Sequence, residues 1–183
     1  KWKPEEKVTI PSHDVDRLPM YGMYTWADAF TLRQLVSLTT LTDLIAEVLN
    51  KILIDAFDAS MAEGNKIDEG GRCAQAYAEA IATYLAMSLD RLADRSSTIS
   101  TWDVTRENIR NTFARQAIPM TWDYAEVNPF SNSSGNFMGA VNWIIDVLEA
   151  LPTCQSGTVQ QLDSSTFFPE VSNPLISTDP PYF

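Results

Sequence analysis

The chain has 183 residues, a hydrophobic content of 45% and a formal net charge of −11, as expected for a globular chain with a real core. No apolar run approaches the ~18 residues that span a bilayer, and no signal peptide stands at Lys1. We therefore expect a cytoplasmic protein with no membrane partner. His13 is the only histidine, which excludes most Ser–His and Cys–His catalytic schemes.

The charge is unevenly distributed. Every Lys and Arg lies at or before Arg115, and all the charged side chains after it are acidic. The later part would repel free duplex DNA, because DNA affinity comes largely from neutralised phosphates. If the protein acts on DNA, we expect the contact to be made through regions absent from this chain.

The first elements are predicted from caps and periodicity. Residues 1–20 contain three prolines and are predicted to be an extended leading segment. The aromatic segment 21–30 favours core anchors over a stacking platform for bases. Thr31 and Gln34 fit a capping box before a long helix, which should run from about Leu32 to Ala59.

Three more helices are predicted after a hinge at 63–71. The second covers about 72–93 and has an alanine-rich face that allows close approach to a neighbour. The third covers Arg106–Ile118, is capped by Asp103 or Thr105, and ends before Pro119. The fourth runs over about 137–151. Cys73 and Cys154 stand alone and far apart, which favours buried free thiols over a disulfide or a metal site.

The polar residues of the predicted third helix have three interpretations. Arg106 and Arg110 would share one face of the helix, and Asn111 and Arg115 another. These side chains either line a cofactor or target-base pocket, where they steer phosphate or carboxylate, or they form a solvated face. A further alternative is that they form ion pairs with acidic residues of the following turn, Asp123 and Glu126, which would hold the turn at Trp122 in place.

The pattern changes after Pro152. Residues 158–162 alternate weakly and are predicted to be a strand, and Leu175–Thr178 is predicted to be a short buried strand. The second strand ends at Asp179, because the two prolines that follow cannot donate ladder hydrogen bonds. An acid and an aromatic residue would then stand at the carboxyl end of a strand, where ligands bind in open α/β sheets.

The tetrad Asp179-Pro180-Pro181-Tyr182 resembles the D-P-P-Y motif of DNA amino-methyltransferases, which methylate adenine N6 or cytosine N4. The resemblance implies that Asp179 accepts a hydrogen bond from the target amine, that Pro180 offers a carbonyl acceptor, and that Tyr182 stacks on the flipped base. A surface turn is the alternative, since Asp, Pro and Tyr are ordinary turn residues.

Two further blocks extend the resemblance. They read A-E-A-I-A-T-Y-L-A-M-S-L-D-R-L-A-D (78–94) and R-N-T-F-A-R-Q-A-I-P-M-T-W-D-Y-A-E-V-N-P-F (110–130). Together with the terminal tetrad they resemble a family of large prokaryotic adenine-specific, zinc-ribbon-containing DNA methylases with a domain of unknown function. The match covers roughly residues 21–183. It implies a Rossmann-like catalytic domain that uses S-adenosylmethionine, in a chain several times longer than this one.

The same resemblance assigns a cofactor residue and shows departures from the family. Asp163 is implied to bind the adenosine of S-adenosylmethionine, and a turn or helix cap is its alternative role. The glycine-rich cofactor loop of such enzymes would lie downstream of the tetrad, and none occurs here. The two cysteines cannot form a zinc ribbon. Phe183 stands where the family often has a second Tyr.

The expected fold class is mainly α, a helical layer that leads into the first strands of a truncated Rossmann-like methyltransferase domain. We expect an extended segment at 1–20, a helical domain at 21–152, and the start of the catalytic domain at 153–183. The expected function is that of a fragment of a DNA amino-methyltransferase, which we expect to be inactive by itself. The alternative is a non-enzymatic helical interaction module whose tail resembles the motif by chance.

Overall fold

The structure, a computed structural model, describes residues 2–8, 17–114, 118, 120–151, 161–163 and 175–179. The chain forms two compact units, Lys1–Ala150 and Leu151–Phe183. The first unit holds every helix and strand that the structure describes. They are α1 (Leu32–Asp58), α2 (Ala74–Ala93), the hairpin strands β1 (Trp102–Asp103) and β2 (Asn108–Ile109), α3 (Phe137–Ala150), and two short 3-10 turns, Leu18–Tyr21 and Trp26–Ala29. The prediction of a mainly helical chain is confirmed.

Helix α1 begins at the predicted capping box. The Gln34 backbone N–H donates to Thr31 Oγ1 at 3.2 Å, and the Thr31 N–H donates to Gln34 Oε1 at 2.8 Å. These two bonds satisfy backbone donors that the first turn of a helix leaves without partners. The helix ends at Asp58, one residue before its predicted end.

Helix α2 lies against both other helices. Ala74, Ala78 and Ala82 are buried at four-residue spacing along one face, which confirms the predicted alanine-rich packing face. Small side chains let the neighbouring backbone come close, so this helix is the centre of the helical layer. The helix also binds the hinge that precedes it, because the Ile67 N–H of the hinge donates to the Glu79 carboxylate of α2 at 2.8 Å.

A small core cluster joins the leading segment to the loop after α2. It contains Val8, Leu18, Ala29, Ile99 and Ile118, all buried. The extended residues 2–8 reach it through backbone bonds to the aromatic segment, such as Val8 N–H to Tyr24 O at 2.9 Å.

The aromatic segment contributes to this core as predicted. Met23, Trp26 and Phe30 pack against the cluster, which confirms the interpretation as core anchors for these residues. Tyr24, by contrast, is 65% exposed. Within the predicted extended segment the structure adds one short 3-10 turn, Leu18–Tyr21.

The predicted third helix, Arg106–Ile118, is wrong over the residues that the structure describes. Asp103 does make the expected cap bonds, because its Oδ1 accepts from the N–H groups of Thr105 at 3.0 Å and Arg106 at 3.2 Å. The turn then stops, since Glu107 adopts a left-handed conformation with φ of 50°. The chain returns as β2, and Asn108 pairs antiparallel with Asp103.

Contacts distant in sequence explain why a hairpin replaces the helix. Ile109 is buried, and its N–H donates to Ser134 Oγ at 3.2 Å. The Thr112 N–H donates to the carbonyl of Asp94, at the end of α2, at 2.7 Å. A helix from Arg106 would turn both N–H groups back onto its own carbonyls, so these bonds compete directly with helix propagation.

The two predicted strands of the second unit are not found among its described residues. Leu175–Thr178 has no strand structure, and Leu175 and Ile176 are 98% and 70% exposed. An apolar pair flanked by proline therefore does not mark a buried strand here. Residues 161 and 162 are also irregular, and the rest of the other predicted strand, 158–160, lies outside the described residues.

Candidate functional site

The tetrad is described only at its first residue. Asp179 is exposed, and it makes no hydrogen bond or ion pair with the described residues. Pro180, Pro181 and Tyr182 lie outside them. Asp163, the predicted cofactor residue, is also exposed. Both carboxylates belong to the Leu151–Phe183 unit. Their proposed roles rest on the sequence resemblance and stay predictions.

A second candidate site lies in the first unit, beside the hairpin. We call it the arginine cleft. Its volume is about 710 Å³. It is lined by Arg95, Asp103, Thr105, Arg106, Asn108, Ile109, Arg110, Asn111 and Ala114.

Asp103, the last residue of β1, organises the cleft. Its Oδ2 accepts from Arg110 Nη2 at 3.1 Å and Nε at 3.3 Å, while its Oδ1 holds the turn. These bonds, chiefly that of the Arg106 N–H, keep the pKa of Asp103 below its ordinary value of 3.8. One buried carboxylate thus fixes the hairpin turn and the orientation of Arg110 together.

Asp94 fastens the other side of the hairpin to α2. Its carboxylate accepts from Asn111 Nδ2 and from the Phe113 N–H. The hydroxyls of Ser97, Ser100 and Thr112 form a buried triangle with oxygen separations of 2.7, 3.0 and 3.2 Å. Buried hydroxyls that satisfy one another hold Thr112, just after β2, rigidly against the loop after α2.

Arg95 projects from the chain just after α2. Its guanidinium donates over long distances to the Arg91 carbonyl at 3.4 Å and to Asn111 Oδ1 at 3.5 Å. The neighbouring Arg91 lies 4.0 Å from the ring centroid of Trp143 on α3, a cation–π contact. Burial, and then the charge of Arg95, lower the pKa of Arg91.

The structure brings together some of the predicted polar residues, for a different reason. One cleft is lined by Arg106, Arg110 and Asn111. The hairpin turn and strand place these residues there, and they do not share a face of a helix as predicted. Arg115 lies outside the described residues. The predicted pairing of these residues with Glu126 is wrong for Arg110, because Glu126 binds Arg33 of α1 at 2.5 Å.

Sequence reasoning missed Arg95 and gave Asp103 too small a role. Arg95 follows a helix end and is brought to the cleft by the tertiary fold, so no local spacing indicates it. Asp103 was predicted as a cap, but its ion pair with Arg110 forms because the hairpin brings the two side chains together.

Two possible features do not occur in the part of the chain that the structure describes. No group of three His, Cys, Asp or Glu side chains is placed to hold a metal ion. No helix combines the length and apolarity that crossing a membrane requires.

Cys73 is a half-buried free thiol, less buried than predicted, and Cys154 lies outside the described residues.

Comparison with protein-family models, with curated proteins and with solved structures finds no match to this chain.

Proposed function

We propose that this chain is the helical region and the opening of the catalytic domain of an S-adenosylmethionine-dependent DNA amino-methyltransferase that acts on adenine N6. The observation that carries the proposal is the tetrad Asp179-Pro180-Pro181-Tyr182, preceded in order by two blocks that resemble one methylase family. The exposure of Asp179 supports it, because a carboxylate that acts on a substrate amine must be accessible.

The chemistry of the proposed step explains the residue types. An exocyclic base amine is a poor nucleophile because its lone pair is delocalised into the ring. Asp179 would accept a hydrogen bond from the amine N–H, and the Pro180 carbonyl would accept the second. Both acceptors would return electron density to nitrogen, while Tyr182 stacks on the flipped base. The cofactor, when bound, would supply the methyl group from its sulfonium and leave as the neutral thioether, and the methylated amine would lose one proton to solvent.

Other parts of the proposed enzyme are supplied from outside this chain. S-adenosylmethionine provides the methyl group when bound, and Asp163 would bind its adenosine. The glycine-rich cofactor loop and most DNA contacts would come from other regions. We therefore expect the 183-residue chain alone to bind the cofactor negligibly and to transfer no methyl groups. We propose a cytoplasmic location for the intact enzyme.

The test is methyl transfer to DNA by the full-length protein that carries this chain, with Asp179→Ala. Losing one electrostatic contact made in the transition state typically lowers turnover by about 10²–10³. Cofactor affinity, measured by calorimetry, should change little, because Asp179 acts on the amine. Tyr182→Ala should weaken binding of the flipped base by about 1–3 kcal/mol, and Tyr182→Phe should be mild because the ring face is kept.

Two results would oppose the proposal. If Asp179→Ala leaves turnover intact, the tetrad is a surface turn. If the wild-type protein transfers no methyl groups to DNA, the hypothesis of a helical interaction module is favoured instead.

A further inference from the structure

We propose that the arginine cleft binds a phosphate group, carried either by a free nucleotide or by a nucleic-acid backbone. The inference stands on the first unit alone and does not require the proposed methyl transfer.

The first support is that its cations are available to a ligand. The Arg106 side chain is exposed and has no hydrogen-bond or ion-pair partner among the described residues. Among the described residues, the acceptors of Arg95 are two distant neutral oxygens. Arg110 uses Nε and Nη2 on Asp103, and its Nη1 makes no hydrogen bond to the described residues. All three guanidinium groups can therefore donate into the cleft.

The second support is the local charge. Three arginines and one carboxylate line the cleft, which leaves two formal positive charges in a chain whose net charge is −11. The two oxygens of that carboxylate, Asp103, are already engaged by the turn and by Arg110. The nearby Asp94 is likewise occupied, by Asn111 and Phe113. Hydrogen bonds from neutral donors leave the negative charge of Asp94 in place. With Asp94 included, the three arginines still exceed the two carboxylates by one, so an anion entering the cleft meets a net positive charge.

The third support is that two of the three arginines, Arg95 and Arg110, are held in place before a ligand arrives. Arg110 is fixed by Asp103, and the stem of Arg95 is covered by the loop at Gly135. That glycine has φ of 84°, and a Cβ there would lie 2.8 Å from Ile109 Cγ2 and 3.3 Å from Arg95 Cδ. Only glycine allows this close approach. Side chains held in place lose less entropy when they bind.

The shape and chemistry of the cleft favour phosphate. A guanidinium presents a planar fork of donors that matches two phosphate oxygens, and three guanidinium-bearing side chains line this cleft. The volume of about 710 Å³ falls within the roughly 300–1,000 Å³ of small-molecule sites, so a whole nucleotide fits.

The experiment is an NMR titration of the 183-residue chain at low salt, where phosphate attraction is least screened. Three probes are used in turn: sodium phosphate, adenosine monophosphate and a short single-stranded oligothymidylate. The Nε–Hε signals of Arg95, Arg106 and Arg110 should shift with all three probes. The corresponding signal of Arg72, an exposed arginine before α2, should stay in place.

A matched pair of variants tests the site itself. Arg106→Gln removes a cation that supports no described contact, so the fold should be kept. Arg72→Gln makes the same change in net charge outside the cleft. Hydrogen bonds to charged groups predict that Arg106→Gln weakens phosphate binding at least about tenfold. Arg72→Gln should weaken it by less than about twofold. Arg95→Gln provides a second variant if Arg106→Gln perturbs the amide spectrum.

The order of affinities identifies the source of the phosphate. Tighter binding of the oligonucleotide than of the mononucleotide identifies a backbone phosphate, and the reverse order identifies a free nucleotide. Both support the proposal. It is overturned if no probe shifts the three arginine signals, or if the two variants weaken binding equally, since that would show only general charge attraction.

Discussion

Helix α1 and the hairpin beyond α2 both begin with a cap that the sequence displays, yet only one cap starts a helix. In α1 the cap bonds between Thr31 and Gln34 are followed by apolar residues at helical spacing. In the hairpin, Asp103 makes equivalent bonds to the next turn, and Glu107 then reverses the chain. The difference teaches that a cap fixes one turn, whereas the path of the chain beyond that turn depends on where the next buried side chains must go.

The largest expected effect is on the free energy of unfolding, when the same substitution, isoleucine to alanine, is made in the hairpin and in α1. Ile109→Ala removes a side chain that is 5% exposed in β2 and should lower the free energy of unfolding by about 2–5 kcal/mol. Ile54→Ala, on α1 at 59% exposure, should change it by less than about 0.5 kcal/mol. Urea denaturation of both variants and of the wild type measures the two changes in the free energy of unfolding. Equal losses would contradict the burial of the hairpin.

An intermediate effect is expected from the cap of α1. Thr31→Ala removes the acceptor for the Gln34 N–H and should cost about 0.5–2 kcal/mol of stability. Thr31→Ser is the control, because it keeps the hydroxyl. Thermal unfolding followed by circular dichroism gives the comparison, and an unchanged midpoint for Thr31→Ala would show that the cap does not stabilise the helix.

The smallest expected effect depends on pH and concerns the hairpin cap. The pKa of Asp103 is lowered in the folded chain, so its contribution to the free energy of unfolding is complete above the ordinary pKa of 3.8. This contribution is lost as the pH falls from 3.8 through the lower pKa of the folded chain, because Asp103 takes up its proton in the unfolded state first. The stability gap between wild type and Asp103→Asn should therefore narrow as pH falls below 3.8. A gap that widens with acid would contradict this.

Three of the four predicted helices are found, those that correspond to α1, α2 and α3, because their signals are local. The Thr31 cap, the alanine spacing in α2 and the apolar stripe of α3 each act within a few residues. The hairpin could not be predicted, since Asp94 and Ser134 lie far from it in sequence and supply partners that compete with helical bonds. Strand Leu175–Thr178 was predicted from two apolar residues and a proline, too little to specify a buried neighbour.

The candidate sites divide in the same way. The tetrad at Asp179 is recognisable only as a linear motif. The arginine cleft is not recognisable that way, because Arg95 follows α2 and Arg110 follows β2, and the tertiary fold brings both to one cleft. Local spacing indicated that Arg106 and Arg110 were neighbours, but it could not supply the third cation.

The most direct test of the proposed function is the product itself. DNA incubated with the full-length protein and S-adenosylmethionine is digested to nucleosides and analysed by mass spectrometry. The proposal predicts N6-methyladenine, and it predicts that Asp179→Ala abolishes most of it. Methylation at cytosine C5, or no methylated base with the wild-type protein, would contradict the assignment of Asp179-Pro180-Pro181-Tyr182 to an exocyclic amine.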